Sequence, residues 1–247
     1  MESRRNQPEL VAYDVDGTMI DDIPGQTTGV AFWRLLDMGL LNPSNEVLEE
    51  LDSLNQLMRE GEETDEWLNT EYSKLIVKSF DSNIAGIRKA DITRVFEEHA
   101  DYIASEKIYP EMLEEINYWK DRQAAQVLIS GSPDPFIQAL KRRLNLRWGT
   151  GTKLFYQQGK VHPEKLPSTR ATNKHLIAEK FRQRLSDEMG EIAIFRSSYG
   201  DTMNDESMMM ASELPVAVNP KADLRQVARE RDWRIIDTVK HEARLAS

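Results

Sequence analysis

Three polar runs, each placed after an apolar segment, carry the side chains best suited to chemistry. They are Asp14-Val15-Asp16-Gly17-Thr18, Ser130-Gly131-Ser132 and Gly200-Asp201-Thr202-Met203-Asn204-Asp205. If the three meet, Asp14, Asp16, Asp201 and Asp205 crowd together, at an electrostatic cost that cations offset. An oxygen-rich cluster suits Mg²⁺, which takes one or two carboxylates, waters and a substrate phosphate. A carboxylate in such a place can also act as a nucleophile, with a second one two residues on as acid and base. The first run is no EF-hand loop, because its glycine stands fourth rather than sixth and no glutamate closes twelve residues.

Bringing the runs together calls for a parallel sheet, since open α/β sheets bind ligands beyond the carboxyl ends of their strands. Leu10-Val11-Ala12-Tyr13 reads as a short buried strand ending at Asp14. From about Thr27 to Ser105 the pattern turns helical. Phe32, Leu35, Leu36 and Leu40 share a face, and Ser44 caps a helix bearing Leu48, Leu51, Leu54 and Met58. Thr64 caps another with Trp67, Leu68, Leu75 and Ile76, while Ile92, Val95, Phe96, Tyr102 and Ile103 mark a fourth. Successive helices with no strand between them form a small bundle. After Pro110 the signals alternate: a helix over 112–119, a strand over 125–130, a helix over 136–144 and a hairpin over 154–161 turning near Gly159. A helix from a Thr172 cap to Leu185 follows, then a strand from Ile192 to near Gly200 and a helix over 204–211. A strand over 215–218, a helix to about Glu230 and a strand over 233–236 close the pattern. The expected fold is α/β, a Rossmann-like parallel sheet with a helical cap inserted after its first strand. Residues 1–25 and 106–247 would form the core and 26–105 the cap.

Composition narrows the partners. The 247 residues hold 32 Lys and Arg against 42 Asp and Glu, a formal charge of −10. That balance argues against a basic track for nucleic acid and against docking on an anionic membrane. With no cysteine, disulfides, thiolate-bound zinc, iron–sulfur clusters and thiol nucleophiles are excluded. The start MESRRNQPEL lacks the apolar run of a signal peptide, and no stretch of ~18 apolar residues occurs. A cytoplasmic protein, monomer or homodimer, is expected.

In its polar runs the chain resembles the haloacid dehalogenase-like superfamily, and within it the phosphoserine phosphatase branch (subfamily IB). YDVDGTMI at 13–20, LISGSP at 128–133, TNKHLIAEKF at 172–181 and YGDTMNDESM at 199–208 stand as its four motifs. LPVAVNPKADLRQVARERDWRIID is similar to the C-terminal end of that branch. The insert matches only in position and class. The resemblance implies a Mg²⁺-dependent phosphatase acting on a small phosphorylated metabolite. Asp14 would attack phosphorus and form an aspartyl-phosphate; Asp16 would protonate the leaving alkoxide and then activate water. Asp14, the Asp16 main-chain carbonyl and Asp201 would hold the metal, with Asp205 behind them, acting through water or by orienting Lys174. Ser130, Gly131 and Lys174 would bind phosphoryl oxygens, and Asn204 the substrate. Members that cleave carbon–halogen bonds lack the counterpart of Asp16, so dehalogenation is disfavoured. A phosphotransferase or mutase with the same nucleophile is one alternative, and a non-catalytic relative that binds a phosphorylated metabolite is another.

The insert stands where a cap closes over the site in this superfamily (a C1-type cap), which favours small organophosphates. Serine-specific members carry a glutamate nine residues after the nucleophile; here that residue is Ile23, with Asp21 and Asp22 beside it. Helical spacing places Trp33, Trp67, Tyr72 and Phe80 in the bundle core, and Arg34, Arg59 and Arg88 read as solvated. His99, His162, His175 and His241 show no metal-ligand spacing, and Met208–Met210 should pack under the sheet.

Overall fold

Strand β1 (Glu9–Tyr13) is apolar along nearly its whole length and buried on both faces, as the central strand of a covered parallel sheet must be. The computed structural model describes residues 7–21, 26–60, 66–162 and 173–238. Within them β1 pairs with β2 (Ala125–Pro133) on one side and β6 (Ile194–Gly200) on the other. With β3 (Trp148–Thr152), β7 (Leu214–Val218) and β8 (Arg234–Ile236), they form a six-stranded parallel sheet in the order β3-β2-β1-β6-β7-β8. Helices α1 (Gln26–Asp37), α2 (Asn45–Glu60), α3 (Glu66–Asn83), α4 (Lys89–Glu106) and α5 (Pro110–Asp121) are inserted after β1. Helices α6 (Asp134–Arg143), α7 (Lys174–Met189), α8 (Glu206–Met210) and α9 (Ala222–Glu230) alternate with the later strands.

The pleat of β1 sorts the core. Val11 and Tyr13 face the layer that holds Ile116 and Trp119 of α5 with Phe136 and Leu140 of α6. Leu10 and Ala12 face Ala178 and Leu185 of α7 with Met208 of α8. Helices α1 to α3 pack mainly on one another, while α4 lies chiefly against α6 and touches α1 less extensively. Ser44 caps α2 as expected: the Val47 N–H donates to its hydroxyl at 3.4 Å. Thr64 and Thr172, expected as caps, lie outside the described residues.

Four sequence expectations need correction or extension. Trp67 is 63% exposed, because the buried stripe of α3 runs through Tyr72, Ile76 and Phe80 and passes beside it. Met208 and Met209 are buried, but Met210 is half exposed. Arg34 and Arg88 are exposed, as their solvated reading expects, and each also meets an acid: Arg34 pairs with Glu98, and Arg88 with Asp91 at 2.7 Å. The Arg59 side chain lies outside the described residues. Strand β3 has the sequence WGTGT, which carries no strand signal. A Cβ at Gly151 would lie 2.4 Å from the Ser132 carbonyl oxygen, so glycine lets β3 close on the end of β2.

The expected hairpin is present as β4 (Tyr156–Gln157) and β5 (Lys160–Val161), turning through positive φ at Gln158 (50°) and Gly159 (76°). It latches onto the α3–α4 connection. Gly86 N–H donates to Val161 O at 2.8 Å, and Val161 N–H donates to Ile87 O at 2.8 Å. Among the described residues no helix is long and apolar enough to cross a membrane.

Candidate active site

Parallel pairing brings the three polar runs to one edge. Tyr13 is in register with Tyr199, and the Asp14 N–H donates to Tyr199 O at 3.0 Å, so Asp14 and Asp201 leave neighbouring strands side by side. Gly17 makes the tight turn after Asp14, with φ at +82°. A Cβ there would lie 2.1 Å from Asp201 Oδ2, so only glycine lets this main chain approach that carboxylate.

Asp14, Asp201 and Asp205 are buried, and carboxylate oxygens of all three lie within 4.8 Å of one another. Thr18 Oγ1 donates to Asp201 Oδ1 at 3.1 Å. Lys174, first residue of α7 and 4% exposed, reaches Asp14 Oδ1 at 2.8 Å and Asp205 Oδ1 at 2.5 Å. The other Asp205 oxygen accepts from the Thr202 N–H at 3.2 Å and hydroxyl at 3.1 Å. Asp205 is thereby anchored between α7 and the turn that follows β6.

Burial, then the like charges of Asp205 and Asp16, push the Asp14 carboxyl up to about 7 against the opposing pull of Lys174. Burial works against the Lys174 ammonium, but Asp14 and Asp205 outweigh it and hold its pKa above the usual lysine value. Three carboxylates against one ammonium leave this pocket a net anion when all are ionised. An all-oxygen donor set without imidazole or thiolate matches a hard divalent cation, so the residues present fit Mg²⁺.

Asp16 stands apart from that triad. Its Oδ1 accepts from the Thr27 hydroxyl at 3.0 Å, and its Oδ2 from the hydroxyls of Ser132 at 2.7 Å and Ser130 at 3.3 Å. Gly131, beside Ser130, accepts from Thr152 Oγ1 through its carbonyl at 2.7 Å. Asn204 is exposed in the turn between β6 and α8. The structure thus gathers Asp14, Asp16, Ser130, Gly131, Lys174, Asp201 and Asp205, and leaves Asn204 at the rim. Thr18, Thr27, Ser132 and Thr202 join the site through their hydroxyls, beyond the residues expected from the sequence. Three of them sit inside the polar runs, where a hydroxyl beside each acid was the available signal.

A family model for haloacid dehalogenase-like hydrolases matches residues 11–210. The chain belongs to this family. Among curated relatives, phosphoserine phosphatase SerB1 of Mycobacterium tuberculosis (strain H37Rv) is 27% identical over 169 residues, 62% of this chain and 49% of that protein. A hydrolase of Mycobacterium leprae is likewise 27% identical over 166 residues, 57% of this chain and 49% of that one. The chain therefore spans about half the length of the curated relatives it matches. A Bordetella pertussis Tohama I protein of unknown function superposes with a TM-score of 0.67 at 18% identity, covering 94% of this chain and 99% of its own. A phosphoserine phosphatase in apo form gives a TM-score of 0.57 at 18% identity, covering 93% and 94%. Those structures share the haloacid dehalogenase-like fold of this chain.

Proposed function

We propose that this haloacid dehalogenase-like hydrolase is a Mg²⁺-dependent phosphatase that cleaves a small phosphomonoester through an aspartyl-phosphate on Asp14. The observation that carries the reading is the pairing of buried Asp14 with Lys174, beside Asp201 and Asp205, with Asp16 held separately by hydroxyls two residues on.

Lys174 neutralises the nucleophile enough for an anionic substrate to approach, and Asp205 fixes where its ammonium sits. Asp14 bonds to phosphorus while Asp16 gives a proton to the departing alkoxide. Asp16 then takes a proton from the water that releases phosphate from Asp14. Ser130 and the main chain at Gly131 bind phosphoryl oxygens at the end of β2. The carboxylates of Asp14 and Asp201 and the Asp16 main-chain carbonyl would hold Mg²⁺, with Asp205 behind them. Bound there, the ion supplies positive charge against the phosphoryl oxygens. Asn204 is read as a rim contact for substrate. Residues 26–105 are read as the cap and 1–25 with 106–247 as the core. Ile23, where serine-specific members carry glutamate, lies outside the described residues, so phosphoserine is one substrate to test among several.

The test is phosphate release from a panel containing phosphoserine, glycerol 2-phosphate, sugar phosphates and p-nitrophenyl phosphate. Mg²⁺, EDTA and Asp14→Asn serve as controls. Release with Mg²⁺ that disappears with EDTA and with Asp14→Asn is expected. Turnover surviving Asp14→Asn sinks the covalent route. Transfer to an added sugar instead of water would mark a mutase, and absence of turnover a binding protein.

A further inference from the structure

Asp16 is anchored from two directions. Its Oδ1 is bonded to Thr27 in the first turn of α1, and its Oδ2 to Ser132 and Ser130 at the end of β2. All three hydroxyl-bearing residues are buried, whereas Asp16 itself is only partly so. Ser132 acts twice: besides its own hydroxyl bond to Asp16, its N–H donates to Ser130 Oγ at 3.0 Å. The single Ser130 hydrogen therefore turns toward Asp16 here and can turn to a phosphoryl oxygen when substrate is bound, leaving Ser132 to hold Asp16. An irregularity in the β2–β3 register between Ile129 and Pro133 puts these serines where they meet one carboxylate. Gly151 leaves the space the Ser132 carbonyl needs.

A carboxylate held at one oxygen still turns about its Cβ–Cγ bond. Held at both, its plane is fixed, and proton transfer depends on such placement to within about an ångström. We infer that Thr27 and Ser132 are positioning residues for Asp16, making proton transfer at the substrate oxygen depend on the first turn of α1 being seated on the core. This inference rests on the phosphatase reading above. In the first half-reaction, an Asp14 oxygen bonds to phosphorus as the bond to the alcohol oxygen breaks. That oxygen receives the proton held by Asp16. In the second, Asp16 takes one proton from water, the water oxygen bonds to phosphorus, and the Asp14–phosphorus bond breaks. Each turnover restores both carboxyl groups.

Leaving-group dependence exposes such a role. An alkoxide leaves poorly without a proton, whereas p-nitrophenolate leaves without one. Thr27→Val, Ser132→Ala and the conservative Thr27→Ser are compared with the natural chain. The substrates are p-nitrophenyl phosphate and the alkyl monoester turned over fastest in the panel. Thr27→Val and Ser132→Ala should lower kcat/KM on the alkyl ester by roughly 10- to 100-fold and change it on the aryl ester by less than about threefold. On the aryl ester kcat should fall while phosphorylated Asp14 accumulates, because the water step still needs Asp16. Thr27→Ser should restore the alkyl rate.

Equal losses of kcat/KM on both esters, or no loss on either, overturn the inference. If Thr27→Val does not fold, Ser132→Ala carries the same comparison. A natural chain inactive on both esters, or turnover that survives Asp14→Asn, overturns the phosphatase reading itself. That outcome is visible before any of the positioning variants is measured.

Discussion

Lys174 has two acidic partners and almost no contact with water, which makes it the residue on which the anionic pocket depends. Removing one member of a buried ion pair strands the other, at about 3–5 kcal/mol. Lys174→Met should therefore lower stability to urea by that order in EDTA. Added Mg²⁺ should recover part of the loss, because an ion held by the folded carboxylates favours the folded state. Absence of recovery would count against those carboxylates as the metal site, whatever the activity. Gly17 gives a second residue-scale prediction. Its φ of +82° and the 2.1 Å approach of any Cβ to Asp201 Oδ2 leave alanine no position that keeps both. Gly17→Ala should raise the Mg²⁺ needed for half-maximal phosphate release at least about tenfold and cost roughly 1–3 kcal/mol of stability. A metal titration unchanged from the natural chain would show that Asp201 is not a ligand.

At the scale of elements, the strands that carry the acids are braced by an aromatic pair. Tyr13 and Tyr199 stack at 4.7 Å, just before Asp14 and Gly200. The Tyr199 hydroxyl accepts from Trp119 Nε1 at 2.7 Å and donates to Glu115 Oε2 at 2.5 Å, tying β6 to α5. Tyr199→Phe leaves a buried indole N–H without its acceptor, so urea unfolding should show a loss of about 1–3 kcal/mol. A loss under about 0.5 kcal/mol would mean the stack alone holds the strand. The three polar runs were legible because each follows its apolar segment and repeats acids or hydroxyls at short spacing. Strand β3 was not, since WGTGT has two glycines and no apolar alternation; Gly151 is there for its neighbour Ser132, which sequence does not display. In β6 the run Arg196-Ser197-Ser198-Tyr199 reads as polar, yet both serines are buried. They are satisfied by Leu214 O at 2.6 Å and the Ser212 hydroxyl at 2.7 Å. Thr27 could not be found by spacing at all, because its tie to Asp16 depends on where α1 packs.

For the molecule as a whole, the insert and the sheet meet where α4 lies on α6, and a histidine is buried in that seam. The His99 ring lies 5.2 Å from that of Phe136, and its Nε2 has no hydrogen-bond partner among the described residues. Burial, aided by the charge of Arg34, pushes its pKa down to about 4. An unfolded chain takes up this proton near pH 6.5, so below that pH the unfolded state binds more protons than the folded one. The stabilisation is complete above 6.5 and is lost as pH falls from there toward 4, at no more than about 1.4 kcal/mol per pH unit. Between pH 8 and pH 5 that amounts to roughly 2 kcal/mol. His99→Leu removes the titration while keeping an apolar side chain in the seam. Carboxylates such as Asp101, held below its usual value by the hydrogen bond from Arg143, titrate in both chains and cancel in the comparison. Urea unfolding at the two pH values should show the natural chain losing about 2 kcal/mol more than His99→Leu. Parallel losses would mean that the seam admits water to His99, and that its protonation does not loosen the insert from the sheet.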